Sequence, residues 1–390
     1  MSRARLVILG LTFAAMVLVV IGCGGSKNGG SGGSGDTTKV TLMFAGPKDD
    51  EGYNQGSADV GAAIQKAYGD EVEVTYADNV PYTEEAGQVA QQLVNTGTDV
   101  IIDTAGYGES LYEVCKKNEE AVDCIVPLPL VLAGEGELTP NMAGFYNEWW
   151  KANFVMGAAA GLMTKTNVIG TVNPLSIPLT NSFMNSFLLG CQYTDPDCKM
   201  RVITINTYFN PPASSQAADT LADAGADVIT GWVNDGSPCV AAQERGLLAV
   251  GNYYDYSSAC PDASLGTAAW SGTNWNKWFV EQVGLVRDGT FEEKSGGKVH
   301  KIPFGEGVEA VLDKKNLPAD VRTKVEKIAT EIESGELNPF TGPIVDTTGK
   351  TRVPAGEEFN LDDPPNADPS LAAGGLIYGW DWQVKGMIGG

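Results

Sequence analysis

The sequence predicts an α/β protein of two lobes, each a doubly wound parallel sheet, with the chain crossing between them several times. Three observations carry this. Short runs rich in branched apolar residues alternate with stretches of helical periodicity from Lys39 onward. The alternation pauses near "AGFYNEWW" and restarts at "ANFVMGAAAGLMTK". The chain has 390 residues, more than one small core accommodates.

In chain order, "KVTLMFAG", "VEVTYAD", "DVIIDTAG" and "CIVPLPL" read as buried strands. Between them lie the helical patterns "NQGSADVGAAIQKAYG", "TEEAGQVAQQLVNTG" and "SLYEVCKKNEEA". In the second of these, Ala86, Val89, Ala90 and Leu93 fall on one face. Thr83, Glu84 and Glu85 mark its start and Gly97 its end. Strands separated by helices require a parallel sheet covered on both faces. After the small-residue helix "ANFVMGAAAGLMTK" come four more strands, "VIGTVN", "RVITINTY", "DVITGW" and "LLAVGNYYD", with "SQAADTLADAG" as an intervening helix. "TGTDVIIDT" and "AGADVITGW" look like equivalent turns and strands of two related lobes. "SLGTAAWSGTNWNKWFVEQVGLVRDG" reads as a strand running into a helix that crosses back to the first lobe.

The first residues concern location. "MSRAR" carries two arginines and no acid, "LVILGLTFAAMVLVVI" is apolar throughout, and Gly22 precedes Cys23. A basic segment, an apolar segment and small residues before a cut form an export signal, and the apolar run is short for a membrane span. The terminal Gly22-Cys23 resembles the lipobox at which bacterial lipoproteins are acylated and cleaved. "GGSKNGGSGGSGDTT" then reads as a flexible tether. The expected organisation is therefore residues 1–22 as signal and 23–37 as lipid anchor and tether. Residues 38–147 with about 272–337 form the N-terminal lobe and 148–271 the C-terminal lobe, while 338–390 form a closing segment of unassigned lobe. The expected location is the extracytoplasmic face of the cell membrane.

A net charge of −23 repels nucleic acid, and no basic groove is visible. Seven cysteines less Cys23 leave an even number, which in an exported chain indicates disulfides. Sequential pairing, Cys115–Cys124, Cys191–Cys198 and Cys239–Cys260, closes three small loops. No Cys-x-x-Cys occurs and His300 is the only histidine, so neither metal nor cofactor is expected. There is no Gly-x-Ser-x-Gly elbow and no phosphate-binding loop ending in Gly-Lys-Ser/Thr. The acid pair Asp49–Asp50 reads more simply as a solvated loop than as acid–base machinery. The expectation is a binding protein, not an enzyme.

The loop after the first strand, "GPKDDEGYNQG", resembles the Gly-Pro…Asp-x-Gly-aromatic loop of the basic membrane protein family, the lipid-anchored solute-binding proteins of ABC importers. "DNVPYTEEAGQVAQQLVNTGTDVII", "AAAGLMTKTNVIGTV", "GADVIT", "NPFTGPIVDTTGKTRVPAGE" and "WDWQVKGMIGG" keep the family's order. Glu51 stands where the family often has a second glycine. The resemblance implies a type I periplasmic-binding-protein fold with three hinge crossings, a purine base or nucleoside as ligand, and an ABC permease as partner. It places Tyr53 at the position of an aromatic that stacks on the base, and Asp255 where a carboxylate grips the ligand.

Ligands of doubly wound sheets bind beyond the carboxyl ends of the strands. By that rule the candidates are Asp50 and Asn54 beside Tyr53, then Tyr107, Trp232 and Asp235, and Asn274 and Trp275 near a crossing, as well as Asp255. Asp50 and Asn54 are also ordinary helix caps, and most tryptophans of such a chain are packing residues. Alternative functions are a receptor for a sugar or other small metabolite, whose faces aromatics also stack on, and a ligand sensor docking on a membrane signalling protein.

Overall fold

A computed structural model describes residues 37–127, 138–269, 273–359 and 380–389. The expected lipid-anchor position Cys23, and the expected signal and tether up to residue 36, lie outside the described residues. The first sheet contains β1 (Thr38–Met43), β2 (Val72–Ala77), β3 (Val100–Asp103), β4 (Asp123–Pro127), β5 (Met142–Asn147) and β11 (Val299–Ile302), in the order β11-β5-β4-β3-β1-β2. Every pairing in it is parallel. The second contains β6 (Val168–Asn173), β7 (Lys199–Thr204), β8 (Val228–Gly231), β9 (Leu248–Tyr253), β10 (Ser264–Ala269), β12 (Glu309–Leu312) and β15 (Met387–Ile388), in the order β12-β10-β9-β8-β6-β7-β15. Only β12 runs antiparallel in it, against β10. The predicted strands form within the described residues; a central one such as Val100–Asp103 is a fully buried run of branched residues, whereas β2 at the sheet edge buries only Val72.

The helices of the first lobe are α1 (Tyr53–Tyr68), α2 (Glu85–Asn95), α3 (Glu109–Lys117) and α8 (Thr273–Arg287). The predicted return of the chain is visible here: the Tyr68 hydroxyl of α1 donates to the Val280 carbonyl of α8 at 2.8 Å. The short α9 (Phe291–Lys294) lies between α8 and β11 in the first lobe, and the second lobe carries α4 (Trp149–Met163), α5 (Pro178–Thr194), α6 (Pro211–Asp223), α7 (Ser237–Glu244) and α10 (Ala319–Glu333). Helix α4 is buried around its whole circumference through its first dozen residues apart from Lys151, as its all-round apolar sequence requires. It meets α5 backbone to backbone. A Cβ on Gly190 would stand 1.9 Å from the Phe154 carbonyl oxygen, and one on Gly157 2.0 Å from that of Phe187.

The chain passes between the sheets three times: from β5 to α4, from β10 to α8, and from β11 to β12. The third passage departs from the expected boundary. The sequence places residues up to about 337 in the first lobe, but β12 pairs with β10, and α10 packs on α4. Sequence periodicity defines a strand or helix without stating which sheet it joins. The closing segment also belongs to the second lobe. The hairpin of β13 (Ile344–Val345) and β14 (Thr351–Val353) leads to residues 380–385, which are bonded to α5. Asn185 donates to the Trp382 carbonyl at 2.8 Å and accepts from the Val384 N–H at 2.8 Å.

The three predicted disulfides, Cys115–Cys124, Cys191–Cys198 and Cys239–Cys260, are the bridges present. The first ties α3 to β4, and the second closes the turn from α5 into β7. The third links α7 to the turn before β10. Among the described residues no helix is long and apolar enough to cross a membrane.

Candidate functional site

The carboxyl ends of both sheets face one cavity of about 430 Å³, within the range of small-molecule sites. The first lobe contributes Ala45, Gly46, Tyr53 and Asn54 around the first strand-to-helix loop. It adds Tyr82 after β2, Thr104 to Gly106 after β3, and Phe145 to Asn147 at the end of β5. The second contributes Leu179 and Phe183 from α5, Asn206 to Phe209 after β7, Asn234 after β8, and Tyr253 at the end of β9. The lobes touch here. Tyr53 meets Tyr253 edge-on with ring centres 5.5 Å apart. A Cβ on Gly52 would lie 2.7 Å from the backbone of Asn234, so only glycine permits this approach.

Among the described lining residues there is no acid, lysine, arginine or histidine. The walls are aromatic and the polar groups are amides, hydroxyls and backbone. Such a surface can stack on a flat neutral molecule and bond its edges. It offers no counter-charge to a phosphate or carboxylate, whose desolvation would go uncompensated.

Tyr53 stands at the first turn of α1, and its hydroxyl donates to the Thr104 carbonyl at 2.5 Å. Asn54 reaches the cavity beside it and is held by its Nδ2 donating to Asp50 Oδ2 at 2.7 Å. Asp50 itself points inward. Its carboxylate accepts from the N–H of Gly52, Asn54 and Gln55, at 2.9, 3.3 and 3.0 Å, and so caps the start of α1. Burial raises the Asp50 carboxyl above its ordinary value, against the pull of these bonds.

Tyr107, Trp232 and Trp275 stand one layer behind the wall, each backing an aromatic that lines it. Tyr107 lies against Tyr82, with its hydroxyl donating to the Val80 carbonyl. Trp232 stacks on Phe183 at 6.0 Å and is fully buried. Trp275 meets Phe145 edge-on at 5.7 Å. Asp235 accepts from the Ser214 hydroxyl at 2.9 Å and the Ser237 N–H at 3.0 Å, organising the starts of α6 and α7 outside the cavity. Asp255 is exposed, accepts from the Ser257 N–H, and does not line the cavity. Asn274 is the second residue of α8, and its side chain lies outside the described part of the chain.

Sequence reasoning passed over Tyr82, Phe145, Phe183, Tyr208, Phe209 and Tyr253. Four of them had a usable signal, since "NVPYTEE", "NTYFNPP" and "GNYYDY" stand at or just after strand ends. Phe145 and Phe183 had none, being an ordinary strand residue and an ordinary helix residue until the lobes come together. Backbone strain is a second mark of the site. Glu51 and Tyr253 take φ of 54° and 70°, in the left-handed region that favours glycine. Such residues cost about 1–3 kcal/mol each and cluster at ligand clamps.

Beside the cavity, Glu148 joins two of the crossings. Its carboxylate accepts from Lys151 Nζ at 2.8 Å and from the Phe304 N–H at 2.9 Å, with Lys301 Nζ at 3.4 Å. Burial alone would raise its carboxyl; the two hydrogen bonds and the lysine charges outweigh this and hold it below its ordinary value. Among the described residues no group of His, Cys, Asp and Glu is arranged to hold a metal ion.

Residues 37–336 match the family model described as "ABC transporter substrate-binding protein PnrA-like". A purine-binding protein of Brucella abortus is 28% identical over 87% of this chain and 94% of its own length. A putative ABC transporter glucose-binding protein of Haloferax volcanii is 23% identical over 81% and 78%. Among solved structures, an ABC transporter solute-binding protein from Aeropyrum pernix superimposes with a TM-score of 0.62, covering 81% of this chain and 94% of that one, at 17% identity.

Proposed function

Because the chain belongs to the PnrA-like family of ABC transporter substrate-binding proteins, we propose that its cleft captures a neutral purine base or nucleoside and presents it to an ABC permease. The lining carries the proposal: aromatic rings from both lobes, amide side chains, and no charged side chain among the described residues. A purine is a flat ring with donors and acceptors on its edge, and an aromatic wall gains about 1–3 kcal/mol per stacked base. The Brucella relative, a purine-binding protein, supports the same ligand class. In this account Tyr53 and Phe209 supply stacking faces from opposite lobes, and Asn54 bonds an edge. Closure about the three crossings encloses the ligand and forms the surface a permease reads. Cys23 carries a lipid that holds the protein at the extracytoplasmic face of the membrane, and ligand leaves chemically unchanged.

A sugar is the second reading, favoured by the Haloferax relative, a putative glucose-binding protein. The two readings separate by mass spectrometry of the small molecule released when protein purified from its native host is denatured. A purine base or nucleoside is the expected mass. A hexose would retire the purine assignment and leave the receptor function standing.

A further inference from the structure

We infer that Asp103 is a positioning residue for the cleft: its buried carboxylate folds the loop after β3 so that two of that loop's carbonyls fix the aromatic rings of Tyr53 and Tyr82. Asp103 is fully buried at the carboxyl end of β3 and lies under the cavity without lining it. Its Oδ1 accepts from the N–H of Ala105 and Gly106, each at 2.8 Å, and its Oδ2 from the N–H of Tyr107 at 2.9 Å. Three consecutive amides wrapped round one carboxylate fix the loop, and Gly106 at φ 85° provides the bend. The outer side of that loop is the cavity wall. The Thr104 carbonyl accepts the Tyr53 hydroxyl at 2.5 Å, and the Ala105 carbonyl accepts that of Tyr82 at 3.0 Å. One carboxylate thus orients rings that enter the cavity from two different elements. The role rests on the binding function proposed above for the same cavity.

The three bonds need the ionised form, because a carboxylic acid cannot accept all three N–H bonds and must place a proton against a donor. Burial nevertheless pushes the Asp103 carboxyl up to about 6, against the three amides that lower it. Among the described residues the titratable groups that face it are phenols, Tyr82 from the loop after β2, and Tyr107 and Tyr112 from its own loop and α3. Because the folded carboxyl lies above its unfolded value, its contribution to stability falls as pH rises through about 6, and acidification does not open the loop.

The test has a ligand-free arm and a ligand arm. In the first, amide-exchange protection factors of Ala105, Gly106 and Tyr107 are compared between the parent and Asp103→Asn at pH ~7.5, above the raised carboxyl value. Protection should be high in the parent and low in Asp103→Asn, whose amide presents a donor to one of the three N–H groups. In the second, calorimetry with guanosine at the same pH should give about a tenfold weaker Kd for Asp103→Asn, since apparent affinity scales with the competent fraction. Parent-like protection in the Asn variant would overturn the proposal, as would an Asn variant with the parent's affinity. If the variant does not fold, the parent alone decides, and rapid exchange of its three amides would overturn the proposal. If the variant loses protection but guanosine binds neither protein, the purine assignment fails and the positioning role stands.

Discussion

Tyr53 is the residue at which family resemblance and geometry meet. It is placed by the loop that opens α1 and by the hydroxyl bond to Thr104. Tyr53→Ala should weaken purine binding by about 1–3 kcal/mol, roughly five- to 150-fold, whereas Tyr53→Trp keeps a stacking face and most of the affinity. Asp255→Asn is the matched control. Its side chain is exposed and outside the cavity, so calorimetry should return the parent's affinity for both base and nucleoside; a loss confined to the nucleoside would show a ribose contact. The pair also shows how much of the site was legible. Position after a strand end located the right loops, but not which side chain in each loop turns toward the cavity. In "GNYYDY" the left-handed backbone at Tyr253 accompanies a tyrosine that lines the cavity and an aspartate that stays outside it. Neither conformation is written in local composition.

At the scale of elements, the strands and most helices were legible because period and branched-residue content are local properties. Contacts between elements were not. The α4–α5 pair depends on Gly157 and Gly190 facing carbonyls of the opposite helix. Gly190→Ala should force the helices apart at a cost of about 1–3 kcal/mol, read as a melting temperature lowered by several degrees. Gly52→Ala asks a different question, since its Cβ would strike the backbone of the opposite lobe rather than its own. It should leave the melting temperature of the ligand-free protein close to the parent's and weaken ligand binding at least about tenfold, because closure must give way by about 1.4 kcal/mol or more. A Gly52→Ala protein that binds like the parent would mean the lobes need not meet there. The closing segment was unassigned in the sequence because its bonds run to α5, almost 200 positions earlier in the chain.

For the whole molecule, the two-lobed plan followed from the repeated strand–helix alternation, and the pairing of the six cysteines from their spacing. The point of the third crossing did not, since β12 is a short strand of mixed burial with no signal naming its sheet. Cys23→Ala should move the protein from the membrane fraction to the soluble fraction, and an unchanged distribution would remove the proposed lipid anchor. The central claim is that a neutral aromatic solute is enclosed by a cavity with no charged side chain among its described lining residues. It is tested most directly by titrating ligand-stripped protein in a calorimeter with guanosine, guanosine 5′-monophosphate and glucose under one set of conditions. The account predicts saturable binding of guanosine, binding of the monophosphate weaker by at least about a hundredfold because its charge would be buried without a partner, and no detectable binding of glucose. Equal affinity for the nucleoside and its monophosphate, or binding of glucose alone, would contradict it.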